Sequence, residues 1–268
     1  MTMITFKSAA ELEGMRLSSR IVATVLAELE PLIRPGIRTR DLDLYAEKRT
    51  RELGALPAFK GYRGYPASVC ISVNEEIIHG IPSGRILQDG DIVSLDFGVL
   101  YEGFYSDSAL TAPVGRTAPE ALKLVAAAER SFVKGLEQMK EGNRLSDISA
   151  AIQEYVESQG FSVIRQFVGH GIGRALHEEP QVPNFGAPGR GPKIRPGLTL
   201  AIEPMIAAGG PEVEILEDGW TAVTRDRRLA AHYEHTVAMT ENGPEILSAR
   251  GSAAVRPGTG LPKEGPHA

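Results

Sequence analysis

Four carboxylates and one histidine, Asp96, Asp107, His170, Glu203 and Glu234, mostly stand within otherwise apolar, strand-like stretches of the chain. Burying an unpaired carboxylate is costly unless it is neutralised or coordinates a metal, so a set of this kind calls for a cation. Asp96 and Asp107 lie eleven positions apart across an expected hairpin, which puts their carboxyl groups side by side with oxygens to share between two ions. Oxygen-rich ligation with one imidazole suits Mn, Fe, Co or Zn in a catalytic site, whereas a structural zinc site would favour thiolates. A two-metal centre polarises a substrate carbonyl and supplies hydroxide at neutral pH, so the chemistry this points to is hydrolysis.

His170 sits in Gly169-His170-Gly171-Ile172-Gly173-Arg174, where small residues allow close backbone approach around an imidazole. A phosphate loop is the rival reading, but the run lacks the Lys-Ser/Thr ending and opens no long helix. Glu203 precedes Pro204, which ends its strand and leaves the carboxylate at the tip. His79, in Asn74-Glu75-Glu76-Ile77-Ile78-His79-Gly80-Ile81-Pro82, and His177, seven positions after His170, are suited to flank one central site. A neutral imidazole there can donate to a developing oxyanion or a leaving nitrogen. Taken alone, His79 is explained equally well as a buried histidine with a satisfied partner. His232 and His235 flank Glu234, and His235 alternates with it along the strand, so it should face the other way and be structural.

The elements that must position these groups read as a duplication. Ser8-Ala9-Ala10-Glu11 is a capping-box signature ahead of a helical run through Leu12, Met15, Val22, Val25, Leu26 and Leu29, and Thr117-Ala118-Pro119-Glu120 repeats it 109 positions later. Gly36, Arg38, Asp41 and Gly54 of a second helix recur as Gly142, Arg144, Asp147 and Gly160, offset by 106. Each half then turns to strand composition with a pair of carboxylates on successive strands. Ile92–Gly98 and Ser106–Thr111 form a hairpin in the first half, and Leu198–Glu203 and His232–Val237 play that part in the second. The expected architecture is α+β, with helix-helix-hairpin halves at about 1–112 and 113–249 whose sheets meet across a pseudo-twofold axis.

With 268 residues, 42% of them hydrophobic, the chain can bury a full core. A net charge of -5 with interspersed signs offers no basic patch for nucleic acid. The single cysteine, Cys70, excludes an internal disulfide, and no apolar run is long enough for a signal peptide or a membrane span, so a soluble, cytoplasmic protein is expected. The Gly/Pro-rich stretch 250–268, which includes His267, should be a disordered tail.

These residues in this order resemble the type I methionine aminopeptidases of the pita-bread metallopeptidases. The most specific pieces are Ser72–Pro82, Asp96-Phe97-Gly98, Gly169–Gly173, His177-Glu178-Glu179-Pro180, Ala201-Ile202-Glu203-Pro204-Met205 and Glu234-His235-Thr236. The resemblance implies a single catalytic pita-bread domain over 1–249 with a central curved antiparallel sheet and two divalent ions (Co, Mn, Fe or Zn). Asp107 and Glu234 would bridge both ions, Asp96 would complete one shell, and His170 with Glu203 the other. It implies that His79 and His177 contact the substrate amide and that Glu203 also accepts a proton. Tyr62, Tyr65, Cys70 and Trp220 would line the methionine pocket, although ordinary core packing explains any one of them alone. The implied reaction is removal of the initiator methionine from chains whose second residue is small. Implied partners are peptide and nascent-chain N-termini, with transient ribosome association and a monomeric protein. One departure is Leu176, where relatives often carry Phe, which alters the shape of the pocket wall but keeps it apolar. A proline-specific exopeptidase of the same fold is the nearest alternative, but it usually carries a large extra N-terminal domain. A non-catalytic relative would typically have lost ligands.

Overall fold

Ser8 closes the first capping box: its hydroxyl accepts the Glu11 N–H at 3.3 Å while the Glu11 carboxylate accepts the Ser8 N–H at 3.0 Å. From this cap α1 (Ala9–Leu29) runs with Met15, Val22, Val25, Leu26 and Leu29 buried, as their helical spacing requires. Next come α2 (Thr39–Glu52), β1 (Leu56–Pro57), β2 (Val69–Val73) and β3 (Glu76–Ile78). The long hairpin β4 (Ile92–Tyr101) and β5 (Phe104–Pro113) ends the first half. The computed structural model describes residues 3–251; 252–268, most of the expected tail, lie outside the described residues.

The second half repeats the plan with α3 (Pro119–Leu136) and α4 (Leu145–Ser158). Gly36 and Gly142, ahead of the second helix of each half, have φ of +90° and +91°, and the closing Gly54 and Gly160 have +77° and +82°. Arg38 and Arg144 each make an isolated antiparallel bridge, to Ile86 and Lys193. Thr117 does not act as the expected cap. Pro119 starts α3 one residue later, where its missing N–H needs no partner, and the Thr117 hydroxyl donates to the Asp91 carbonyl instead.

The strands of this half are β6 (Ser162–Val163), β7 (Gly169–Gly171), β8 (Glu178–Val182), β9 (Thr199–Ile202) and β10 (Met205–Ala207). They continue through β11 (Val213–Ile215), β12 (Ala222–Thr224), β13 (Ala230–His232), β14 (Glu234–Thr240) and β15 (Gly243–Ile246). Nine of the strands build one antiparallel sheet in the order β1-β4-β5-β14-β9-β7-β8, with β2 on β4 and β15 on β14, so the halves join at β5–β14. In the first half α1 and α2 share a buried cluster with β2, β4 and β5, and in the second α3 and α4 share one with β9 and β14.

The expected strand from His232 to Val237 is broken. His232 belongs to β13, in a separate three-stranded sheet with β10 and β6, while Glu234 opens β14. The cause lies in Pro204, which separates β9 from β10 and offers no N–H, so Tyr233 donates to its carbonyl at 3.1 Å and receives nothing back. Both strand segments therefore change sheets at one level, and Glu203 and Glu234 stand at the break.

Candidate metal centre

Register places the polar set on one face of the nine-stranded sheet. Cys70, Asp96, Ala109 and Glu234 form one row across β2, β4, β5 and β14. Asp107 faces Gly98 two residues along, and Thr236, Ala201 and His170 continue the second half at that level. Directly opposed residues, and residues two apart on a strand, share a face. Gly98, Ala109 and Ala201 between the ligand types are small, which leaves room above the floor. Side chains at Gly169 or Gly171 would collide with the carbonyl oxygens of Ala201 or Glu179, so only glycine lets the neighbouring strands close around His170.

Where β5 meets β14 the ladder is completed by a side chain. The Thr236 hydroxyl accepts the Asp107 N–H at 2.9 Å and donates to the Asp107 carbonyl at 2.8 Å, which fixes the backbone of that aspartate. Asn184 holds the Glu203 backbone from one side only, donating Nδ2–H to its carbonyl at 2.9 Å. Sequence reading missed both residues. Thr236 stood beside Glu234 in a quoted motif, while Asn184 gave no local signal.

Ligand-type atoms of Asp107, His170 and Glu234 lie within 4.8 Å of one another. His170 Nε2 is 3.5 Å from Glu203 Oε1, and His170 Nδ1 lies 2.9 Å from the Gly171 carbonyl. A carbonyl only accepts, so Nδ1 carries the proton and Nε2 turns a free lone pair toward the carboxylates. Asp96 opens partly to the cavity, yet Asp96 Oδ1, Asp107 Oδ1 and Glu234 Oε1 are shut from solvent with no hydrogen-bond partner among the described residues. Burial, reinforced by neighbouring carboxylates, pushes Asp96, Glu203 and Glu234 well above the usual carboxylate range, and burial pushes Asp107 up to about 7. Burial holds His170 down to about 4, so its imidazole is neutral at pH 7. Orphaned oxygens, mutually repelling carboxylates and an oriented imidazole lone pair form a donor set that fits divalent metal.

The flanking groups converge on the same cavity of about 190 Å³, which is lined by all eleven side chains singled out from the sequence. Burial holds His79 down to about 4, and its ring lies edge-on between Phe167 and Trp220. His177 is exposed at the rim, where it stacks on Tyr62 with Nδ1 2.9 Å from the Tyr62 hydroxyl. Desolvation, then the neighbouring His170, Arg63 and His79, holds it down to about 3. The loop carrying His177 is tied to the N-terminal segment. Lys7 pairs with Glu178, which also accepts the Thr5 hydroxyl at 2.7 Å and the Arg174 N–H at 2.8 Å.

Tyr65 is buried, donates its hydroxyl to the Gly80 carbonyl at 2.8 Å and meets Trp220 edge-on at 5.2 Å. Cys70 and Leu176 belong to the same apolar cluster. Phe59, Ile78, Phe167 and Val168 complete the apolar lining, and sequence reading assigned none of them a role because they look like ordinary core residues. His235 is buried on the opposite face, with Nδ1 2.9 Å from Ser248 Oγ and its ring against Phe132, as its alternation with Glu234 required.

Residues 13–241 match the model of metallopeptidase family M24. Methionine aminopeptidase of Clostridium perfringens is 54% identical over 246 residues, covering 92% of this chain and 99% of that protein. The crystal structure of methionine aminopeptidase from Thermotoga maritima superposes with a TM-score of 0.90 at 47% identity, covering 92% of this chain and 99% of that one. Prolidase from Pyrococcus furiosus shares the fold at a TM-score of 0.75 and 22% identity, with 91% of this chain matching 65% of that one.

Proposed function

The chain belongs to metallopeptidase family M24, among its methionine aminopeptidases, and from that premise we propose how its own residues divide the work. It releases N-terminal methionine by hydrolysing the first amide, and as a metallopeptidase it uses divalent metal. In our reading two ions are held: one by Asp96, the other by His170 and Glu203, with Asp107 and Glu234 shared. The observation that carries this reading is the set of orphaned oxygens on Asp96, Asp107 and Glu234, buried beside the free lone pair of His170. Bound there, divalent metal would supply Lewis acidity to the scissile carbonyl and to water.

The remaining work falls to side chains. Glu203 takes up the proton released when water attacks. His79 and His177, both neutral at pH 7, donate hydrogen bonds to the amide oxygen and the leaving nitrogen as charge develops there. Tyr62, Tyr65, Cys70 and Trp220, which line the cavity, enclose the thioether, and the second side chain faces His79 and His177, which favours a small one. Among the described residues no helix is long and apolar enough to cross a membrane. The single unpaired Cys70 agrees with a reducing cytosol, in which the protein would act as a monomer on chains emerging from the ribosome.

Calorimetric titration of the chelated protein with Mn²⁺ tests the ligand assignment. Two equivalents should bind to the wild type, and Glu234→Gln should weaken both. A Glu234→Gln protein that binds Mn²⁺ like wild type would overturn the assignment.

A further inference from the structure

His232 is a buried titratable group beside the ligand set that none of the roles above uses. It is 1% exposed, and its Nε2 finds no hydrogen-bond partner among the described residues. A buried, unmade hydrogen bond is expensive, so its direction is informative. Nε2 points between two carboxylates, 3.9 Å from Glu203 Oε2 and 4.0 Å from Glu234 Oε2.

The ring is carried on a rigid mount. The Thr111 hydroxyl accepts the His232 N–H at 2.9 Å and donates to the His232 carbonyl at 2.8 Å, while Ser94 Oγ lies 2.7 Å from the same hydroxyl. Thr111 has a single hydroxyl proton, already given to the carbonyl, so Ser94 must be the donor in that pair. β13 further pairs His232 with Met205 of β10, so the hairpin β4–β5 and the second sheet both hold the backbone from which the ring projects.

The two carboxylates are not equivalent as acceptors. Glu203 Oε1 is turned to His170 Nε2, toward the ligand set, and Oε2 is the oxygen turned to His232. On the ligand assignment proposed above, a shared Glu234 would have both oxygens committed, whereas a terminal Glu203 would have one to spare. We propose that His232 is a positioning residue for Glu203: its Nε2–H donates to Glu203 Oε2 and holds the carboxylate with Oε1 toward the metal. A movement of about 1 Å closes the gap to hydrogen-bond distance. Oε2 keeps a second lone pair for the catalytic proton. This inference rests on the assignment of Glu203 as a ligand.

The experiment compares His232→Leu, which removes the donor at similar size, with His232→Gln, which restores an N–H donor, and with Glu203→Ala as a control. Each chelated protein is titrated calorimetrically with Mn²⁺, and kcat and KM for Met-Ala-Ser are measured after reconstitution. The expected result for His232→Leu is a 10- to 100-fold loss in kcat or Mn²⁺ affinity with KM within about 3-fold, the range seen when partners of metal ligands are removed. His232→Gln should recover most of that loss. Equal impairment of the two variants, or His232→Leu behaving like wild type, would overturn the proposal. Loss of one whole equivalent of Mn²⁺ in both variants would also overturn it and make His232 a ligand. If Glu203→Ala binds Mn²⁺ like wild type, the ligand assignment itself fails; if only the histidine variants are silent, only this inference does.

Discussion

Replacing Asp107 by Asn should abolish function and yet stabilise the chelated protein at alkaline pH. Asp107 titrates near 7 in the folded chain against 3.8 for the unfolded one, chiefly because it is buried. A group with a raised folded pKa contributes stability that is complete below the unfolded value and is lost as pH rises through the folded one. At 1.36 kcal/mol per pKa unit, the full loss is about 4 kcal/mol, of which about 3 develops between pH 5 and pH 8. The histidines act with the opposite sign. His79 and His170 near 4 and His232 and His235 near 3 are all held below the unfolded imidazole, so their burial favours the fold increasingly up to about pH 6.5. Comparing Asp107→Asn with wild type cancels most of that background. Thermal melts of both chelated proteins at pH 5 and pH 8 should show the variant gaining about 3 kcal/mol on wild type across that interval, roughly 5 to 10 °C in Tm. Saturating Mn²⁺ should reverse the ranking at pH 8, because only wild type keeps the complete ligand set. A gap independent of pH, or one widening in favour of wild type without metal, would refute the reasoning.

His177→Ala should lower kcat about 100- to 1,000-fold, as loss of an oxyanion donor does, with bound metal unchanged by elemental analysis; a parallel loss of metal would reassign it as a ligand. Lys7→Met leaves Glu178 with Thr5 and backbone donors alone, so the metal-loaded protein should lose about 1 to 3 kcal/mol in denaturant melts, and kcat should fall because the loop carries His177. Unchanged stability and kcat would show that the clip does not hold the loop.

The ligand-type residues were legible because a carboxylate within an apolar strand has few other reasons to be there, and β4 and β5 could be paired because they flank a glycine-containing turn. Gly36, Gly54, Gly142 and Gly160 announced the second helix of each half, because a left-handed backbone there leaves glycine as the natural choice. What stayed hidden depended on contacts distant in sequence. Thr117 looked like a cap until Pro119 moved the helix start. His232 read as the neighbour of Glu234 on one strand, although the lack of an N–H on Pro204 breaks that strand at Tyr233. Asn184, Phe59 and Phe167 carry no local mark, since only the folded chain brings them to the cavity.

The most direct measurement is release of free methionine by the reconstituted enzyme from Met-Ala-Ser, set beside Met-Lys-Ser, N-acetylated Met-Ala-Ser and Ala-Pro-Ala. With Mn²⁺, Co²⁺ or Fe²⁺ added back after chelation, Met-Ala-Ser should be cleaved and the other three left intact. On the proposed reading, the rim at His79 and His177 would exclude a long second side chain, acetylation would remove the free amine, and the pocket would take a thioether. Comparable kcat/KM for Met-Ala-Ser and Met-Lys-Ser, cleavage of Ala-Pro-Ala in preference to both, or full activity after stringent metal removal would contradict it.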